Sequence, residues 1–139
     1  MKKRILLVDD HPVFRSALRR LLEQCGDLAL AGETDDVDEA MRMVEALRPD
    51  MAIVDVMLAG ADGIELTRNM VSKYGVAVLV MSIHDETSLA LRAVNAGAKG
   101  YVMKAQAFSV IIKAIREVLA GRTYLGDRVK SKLLRLTRR

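Results

Sequence analysis

Five short apolar runs alternate with five segments of helical period, and that alternation leaves few architectures open. The runs lie at about residues 4–9, 28–33, 51–55, 76–81 and 99–102. The helical segments follow them at about 12–24, 36–48, 63–73, 86–96 and 108–120. Ile5-Leu6-Leu7-Val8 and Met51-Ala52-Ile53-Val54 are apolar at every position. A strand with one wet face alternates polar and apolar side chains, so unbroken runs mark strands covered on both faces. With short connections, strict alternation implies a parallel sheet with helices on both faces, joined by right-handed crossovers.

The helix boundaries carry local signals. Pro12 stands near the start of the first helix, a favoured place, and Phe14, Ala17, Leu18, Leu21 and Leu22 form its apolar stripe. Gly26-Asp27 ends it. The second helix follows the acids Asp35 and Asp36 and stops before Pro49. The third follows Asp62-Gly63, and the fourth ends at Gly97. The fifth carries Phe108, Ile111, Ile112, Ile115, Val118 and Leu119, then Gly121. Beyond Gly126, Asp127 can cap a short helix with Val129, Leu133 and Leu136 on one stripe. No internal repeat and no low-complexity stretch interrupts this order.

A chain of 139 residues, 51% of them apolar, suffices for one domain with a full core. No apolar run approaches the length of a membrane span. Met1-Lys2-Lys3-Arg4 is followed by about four apolar residues before two acids, which is not the pattern of a secretion signal. Cys25 is the single cysteine, so no internal disulfide can form, and a cytoplasmic setting fits. It lies on an apolar helix pattern and reads as a packing thiol rather than a reactive one. The net charge of +4 is unevenly placed. Residues 122–139 hold seven Lys/Arg (Arg122, Arg128, Lys130, Lys132, Arg135, Arg138 and Arg139) against Asp127 alone. The preceding 121 residues carry a balance of −2. The basic excess therefore does not make the body a nucleic-acid binder. The tail reads as a solvated linker, with placement beside a DNA-binding partner or domain as the sharper alternative.

Three carboxylates end these runs. Asp9 and Asp10 close the first, and Asp55 closes the third. Ligands of open parallel sheets sit at the carboxyl ends of strands, where the strand order reverses. Neighbouring carboxylates repel unless a proton or cation intervenes. An oxygen-only set with no Cys or His beside it suits a hard cation such as Mg2+. The fourth run ends at Met81-Ser82, and Lys104 follows the fifth. The rim then offers acids, one hydroxyl and one ammonium, a set suited to a phosphoryl group on an acceptor oxygen. Taken alone, Lys104 is a surface lysine, Ser82 a strand-end hydroxyl and Tyr101 an ordinary strand aromatic. Their occurrence at successive strand ends is what carries the signal.

The segments Val8-Asp9-Asp10-His11, Ile53-Val54-Asp55, Asp62-Gly63, Met81-Ser82 and Gly97-Ala98-Lys99-Gly100-Tyr101-Val102-Met103-Lys104 resemble a two-component response-regulator receiver domain over about residues 3–121. Asp10-His11-Pro12, His84-Asp85-Glu86 and Gly121-Arg122-Thr123-Tyr124-Leu125 resemble the transcription regulators that continue into a LuxR-type helix-turn-helix domain. The resemblance implies an α/β fold, a doubly wound five-stranded parallel sheet of flavodoxin-like order 2-1-3-4-5. It implies a receiver over 1–121 and, over 122–139, a basic linker or short helix leading to an output domain beyond this chain.

Roles follow by position from the same resemblance. Asp55 matches the phospho-accepting aspartate and Asp10 a direct Mg2+ ligand, with Asp9 assisting through water. The backbone carbonyl of Met57 matches the third protein ligand. Lys104 matches the lysine that binds the phosphoryl group, Ser82 the switch hydroxyl and Tyr101 the switch aromatic. A sensor histidine kinase is the implied donor. The acyl phosphate is expected to draw Ser82 inward, with Tyr101 following, and so to repack the face of helix 4, strand 5 and helix 5. A homodimer on phosphorylation is expected, with DNA contacted only through the further domain and no membrane partner.

Departures from the family pattern carry expectations of their own. Leu58-Ala59-Gly60-Ala61-Asp62-Gly63 lacks the proline often found after the phospho-acceptor, which loosens that loop and removes no ligand. Ala105 stands after Lys104, where family members often have Pro or Asp and a cis bond. A cis bond before Ala costs roughly 3–4 kcal/mol. Ala107-Phe108-Ser109-Val110 replaces a capped, acidic helix start. The apolar spread Phe108, Val110, Ile111, Ile112 exceeds one buried stripe, so this end is either unusually buried or a protein contact.

Two other functions compete. Phosphohydrolases of the haloacid-dehalogenase type, which would use Asp55 as a transient nucleophile, have an acid two residues on, and Met57 in that place cannot transfer protons. The chain is thus expected to be a phosphoacceptor, not a turnover enzyme. A phosphorylation-independent interaction module would not need Asp9, Asp10, Asp55, Ser82 and Lys104 together.

Overall fold

The computed structural model describes residues 1–58, 60–84 and 87–137. Ala59, Asp85, Glu86, Arg138 and Arg139 lie outside the described residues, so the His84-Asp85-Glu86 signature is covered only at His84. The main strands are β1 (Lys3–Val8), β2 (Leu28–Thr34), β3 (Met51–Asp55), β4 (Ala77–Ser82) and β5 (Gly100–Met103). They form one parallel sheet in the order β2-β1-β3-β4-β5, as expected. Among the described residues six α-helices surround it: α1 (Pro12–Glu23), α2 (Val37–Leu47), α3 (Gly63–Tyr74), α4 (Thr87–Asn95), α5 (Ala107–Leu119) and α6 (Asp127–Thr137).

The unbroken apolar runs serve two cores. Successive strand side chains point to opposite faces. Leu6, Val8, Ala52, Val54, Val78 and Val80 join the core under α2, α3 and α4. Ile5, Leu7, Met51, Ile53, Leu79 and Met81 join the core under α1 and α5. All twelve are buried, and truncating a large one to Ala is expected to cost about 2–5 kcal/mol. Cys25 packs at the edge of the second core, half-buried, as a packing thiol does. The strand order reverses at β1, with β2 on one side and β3 on the other. Asp9, Asp10 and Asp55 therefore stand at the crevice where the chain turns outward in opposite directions.

Local chemistry fixes the loops around that crevice. Asp62 caps α3, its carboxylate accepting the Ile64 N–H at 2.9 Å. Gly63 donates its N–H to the Val56 carbonyl at 2.9 Å. A Cβ at Gly63 would lie 2.0 Å from the Asp55 carbonyl oxygen, so only glycine permits this approach. The loop after Asp55, which lacks the proline, carries local pairing on either side of Ala59. Met57–Leu58 and Ala61–Asp62 pair as a short antiparallel ribbon, which the apolar pattern did not announce. No peptide bond among the described residues is cis, and Lys104–Gln106 form a 3-10 turn leading into α5.

The tail departs from the expected solvated linker. Tyr124 adds to the open edge of β5: its N–H donates to the Lys99 carbonyl at 2.9 Å, and its carbonyl accepts the Tyr101 N–H at 3.0 Å. An edge strand leaves such groups unpaired, and the tail supplies partners. Helix α6 then lies against α4. Val129 is buried, and Leu125 and Leu133 pack on the core beneath α2, α3 and α4. Val129 and Leu133 are one helical turn apart, which puts both on the covered face. Leu136, expected on that stripe, is exposed, as are Arg128, Lys130, Lys132 and Arg135. No helix among the described residues is long and apolar enough to cross a membrane.

Candidate functional site

Strand ends bring the predicted groups together. Asp9 leaves β1 fully buried, and its N–H donates to the Thr34 carbonyl of β2 at 3.0 Å. Asp10 follows, partly buried. Asp55 ends β3 at 1% exposure. Its Oδ1 accepts the Met57 N–H at 3.1 Å, which ties the carboxylate to the loop that follows. Lys104, at 8% exposure, is not the surface lysine that its residue type suggests. Its Nζ donates to Asp55 Oδ2 at 2.8 Å and stands 2.9 Å from Asp9 Oδ2. The Asp9 contact is an ion pair without hydrogen-bond geometry. Two buried carboxylates thus explain a buried ammonium, because each is costly in isolation.

His11 corrects the expectation of an oxygen-only cluster. Its Nδ1 lies 3.3 Å from Asp9 Oδ1, from Asp10 Oδ1 and from Asp55 Oδ2. It also lies 2.8 Å from Lys104 Nζ. An ammonium only donates and a carboxylate only accepts, so the Lys104 contact needs Nδ1 as acceptor and the Asp9 contact needs it as donor, and the ring tautomer selects between them. The His11 N–H donates to Asp9 Oδ1 at 2.7 Å, and this short turn folds the ring back over the acids. Ligand atoms of Asp9, Asp10, His11 and Asp55 all lie within 4.8 Å of one another. Three convergent carboxylates facing one ammonium leave excess negative charge, and their hard oxygens fit a divalent cation.

Beside this cluster, Ser82 and Tyr101 meet on one residue. Ser82, at the end of β4, is buried, and its Oγ accepts the His84 N–H at 3.0 Å. The Tyr101 hydroxyl donates to the His84 carbonyl at 3.0 Å, and its ring is buried. Register places Ser82 one residue beyond Met81, the β4 partner of Asp55. The Phe14 ring centroid lies 4.5 Å from Lys104 Nζ. The Phe14 and Phe108 rings are 5.1 Å apart and tilted at 47°.

The family model of the response regulator receiver domain matches residues 5–116, which span every strand end just described. The chain belongs to the response regulator receiver family. This receiver is 38% identical over 132 residues to the DNA-binding transcriptional activator DevR/DosR of Mycobacterium tuberculosis, covering 94% of this chain and 61% of that protein. It is 32% identical over 139 residues to the transcriptional regulatory protein DegU of Brevibacillus brevis, covering 99% of this chain and 59% of that one. The receiver thus spans about three fifths of the length of these relatives. A two-component response regulator of the LuxR family from Aurantimonas sp. SI85-9A1 superposes with a TM-score of 0.89 at 34% identity, with full coverage of both chains.

Three contributors escaped the sequence reading. His11 stood inside a recognised motif but was not counted with the acids. His84 acts through its backbone, which no residue type announces. Phe14 belonged to the α1 stripe, and only its proximity to Lys104 sets it apart. In the receiver the expected residues Asp9, Asp10, Asp55 and Lys104 converge, while Ser82 and Tyr101 form a second group linked through His84.

Proposed function

We propose that this receiver accepts a phosphoryl group on Asp55 from the phosphohistidine of a sensor histidine kinase, in the cytoplasm, and that it is a phosphoacceptor rather than a turnover enzyme. The buried Asp55 carboxylate, 2.8 Å from the Lys104 ammonium and beside Asp9 and Asp10, is the observation that carries this reading. The phosphorus–nitrogen bond of the donor breaks as a phosphorus–oxygen bond to Asp55 forms, and the imidazole leaves as the neutral ring, its proton taken from solvent water. Asp10, Asp55 and the Met57 carbonyl would hold Mg2+, with Asp9 assisting through water. Bound there, the ion offsets charge on the phosphoryl oxygens. Lys104 exchanges its carboxylate contacts for a phosphoryl oxygen.

Ser82 Oγ accepts from His84 and keeps its own hydrogen to donate. Donation to a phosphoryl oxygen shifts Ser82 and, through the His84 peptide, loads the Tyr101 hydrogen bond. The Tyr101 backbone bonds Tyr124, so the shift reaches α6 and an output domain that contacts DNA. A local charge change thus biases a two-state surface. Self-association on phosphorylation would use the α1–α5 side. There Pro12, Val13, Ala17, Leu21 and Phe108 line an apolar groove, whereas α6 already occupies α4. The test is intact mass after incubation with phosphoramidate. One phosphoryl adduct is expected, lost in Asp55→Asn and in EDTA. An adduct that persists in either case sinks the assignment.

A further inference from the structure

We propose that Phe14 is a positioning residue for Lys104, with Phe108 holding its ring in place. The proposal deepens the reading above and rests on Lys104 as the ligand of the phosphoryl group. Four groups surround Lys104 Nζ: Asp55 Oδ2, Asp9 Oδ2, His11 Nδ1 and the Phe14 ring. The first three belong to the cluster of acids and His11. Each must loosen or move when phosphoryl oxygens and a cation enter. Phe14 stands outside that exchange. Its ring attracts the ammonium through its π-electrons and takes up none of the N–H donors. The hydrogens of Lys104 remain available to change partners while the nitrogen stays at the mouth of the site.

The lysine needs such a support. Its charge sits at the end of a flexible four-carbon stem, and an ammonium pulled only by exchangeable carboxylates has no fixed position. Phe14 is half-buried on the first turn of α1, and Phe108 begins α5, where a capped, acidic start is usual for the family. The two rings pack in tilted fashion at 5.1 Å. This pairing fixes the face that Phe14 turns to Lys104. It also accounts for an exposed aromatic at a helix start: Phe108, at 49% exposure, backs a functional ring.

Ordinary core packing is the competing explanation, since Phe14 also touches the core beneath α1 and α5. Ring fluorination separates the two, because it weakens the π-face stepwise and nearly preserves shape. Phe14 is replaced by phenylalanine carrying one, two and three ring fluorines, with and without Lys104→Ala. The rate of Asp55 phosphorylation by phosphoramidate is followed in Mg2+. With Lys104 present, the rate is expected to fall at each step, by roughly tenfold across the series. With Lys104→Ala, the series is expected to be flat from an already lowered rate. A flat series with Lys104 present, alongside an impaired Lys104→Ala, overturns the role of Phe14 alone. Undiminished phosphorylation of Lys104→Ala overturns the role of Lys104 and the positioning with it. Urea midpoints across the series confirm that every variant compared is folded.

Discussion

Two arms stand beside the Asp55–Lys104 pair, one reached through the β3–β4 register and one through Lys104 itself, and different forces hold them. Toward α4 the links are hydrogen bonds: His84 N–H to Ser82 Oγ, Tyr101 hydroxyl to the His84 carbonyl, and Tyr101 N–H to the Tyr124 carbonyl. Toward α1 the links are ring faces: Lys104 on Phe14, and Phe14 on Phe108. A hydrogen bond weakens steeply with angle, so it is either made or broken. A ring contact tolerates sliding and tilting with little loss. On the function proposed above, the first arm would change state, and the second would keep Lys104 in place while its partners change.

Both arms need a fixed origin, and the largest predicted effect tests it. Gly63→Ala puts a Cβ against the Asp55 carbonyl, at 2.0 Å if nothing moves. Neither partner is the end of a flexible side chain, so β3 and the start of α3 must separate. A loss of about 3 kcal/mol in urea denaturation is expected. A loss below about 1 kcal/mol would mean that the loop yields easily, and the two arms would then lack a common anchor.

Next in size is Tyr101→Phe, which removes the hydroxyl that donates to the His84 carbonyl. His84 is exposed, so water can replace part of that bond, and about 1 kcal/mol is expected. The location of the effect matters more than its size. Hydrogen exchange at the Tyr124 amide and in α6 should quicken in Tyr101→Phe and stay unchanged in Phe14→Leu. Equal quickening in both variants would merge the two arms into one and remove the contrast drawn between them.

Much of this fold was legible because it depends on local or periodic signals. Strands covered on both faces must be apolar at every position, and Asp36, Asp62 and Pro12 mark helix starts through their own capping or backbone chemistry. The acids were legible because strand ends define the crevice. What escaped was non-local. Arg122-Thr123-Tyr124-Leu125 reads as loop, and its pairing depends on the open edge of a strand more than twenty residues earlier. Lys104 is buried against the habit of lysine because two distant carboxylates meet it there. The direction of the His11 ring follows from a turn, and turns have no period from which a side chain's aim can be read. Family resemblance supplied the roles of Ser82 and Tyr101, while their shared dependence on the His84 peptide became visible only in three dimensions.

The smallest predicted effect on folding falls at Phe108, and there the two arms differ most. Phe108→Glu removes a half-exposed ring whose pairing with Phe14 contributes near the lower end for aromatic pairs, about 0.5 kcal/mol. The unphosphorylated domain should therefore unfold almost as before. Self-association should respond more strongly. A two-fold contact across the α1–α5 groove would present Phe108 twice, once from each copy, and each new carboxylate would enter an apolar surface. Sedimentation of the phosphorylated domain is expected to show a dimer for the parent and a monomer for Phe108→Glu at the same concentration. A dimer that survives in Phe108→Glu would move the contact away from the ring arm, leaving Phe108 only its service to Phe14. A parent that remains monomeric when phosphorylated would leave the hydrogen-bonded arm through Tyr124 and α6 as the sole exit for the signal.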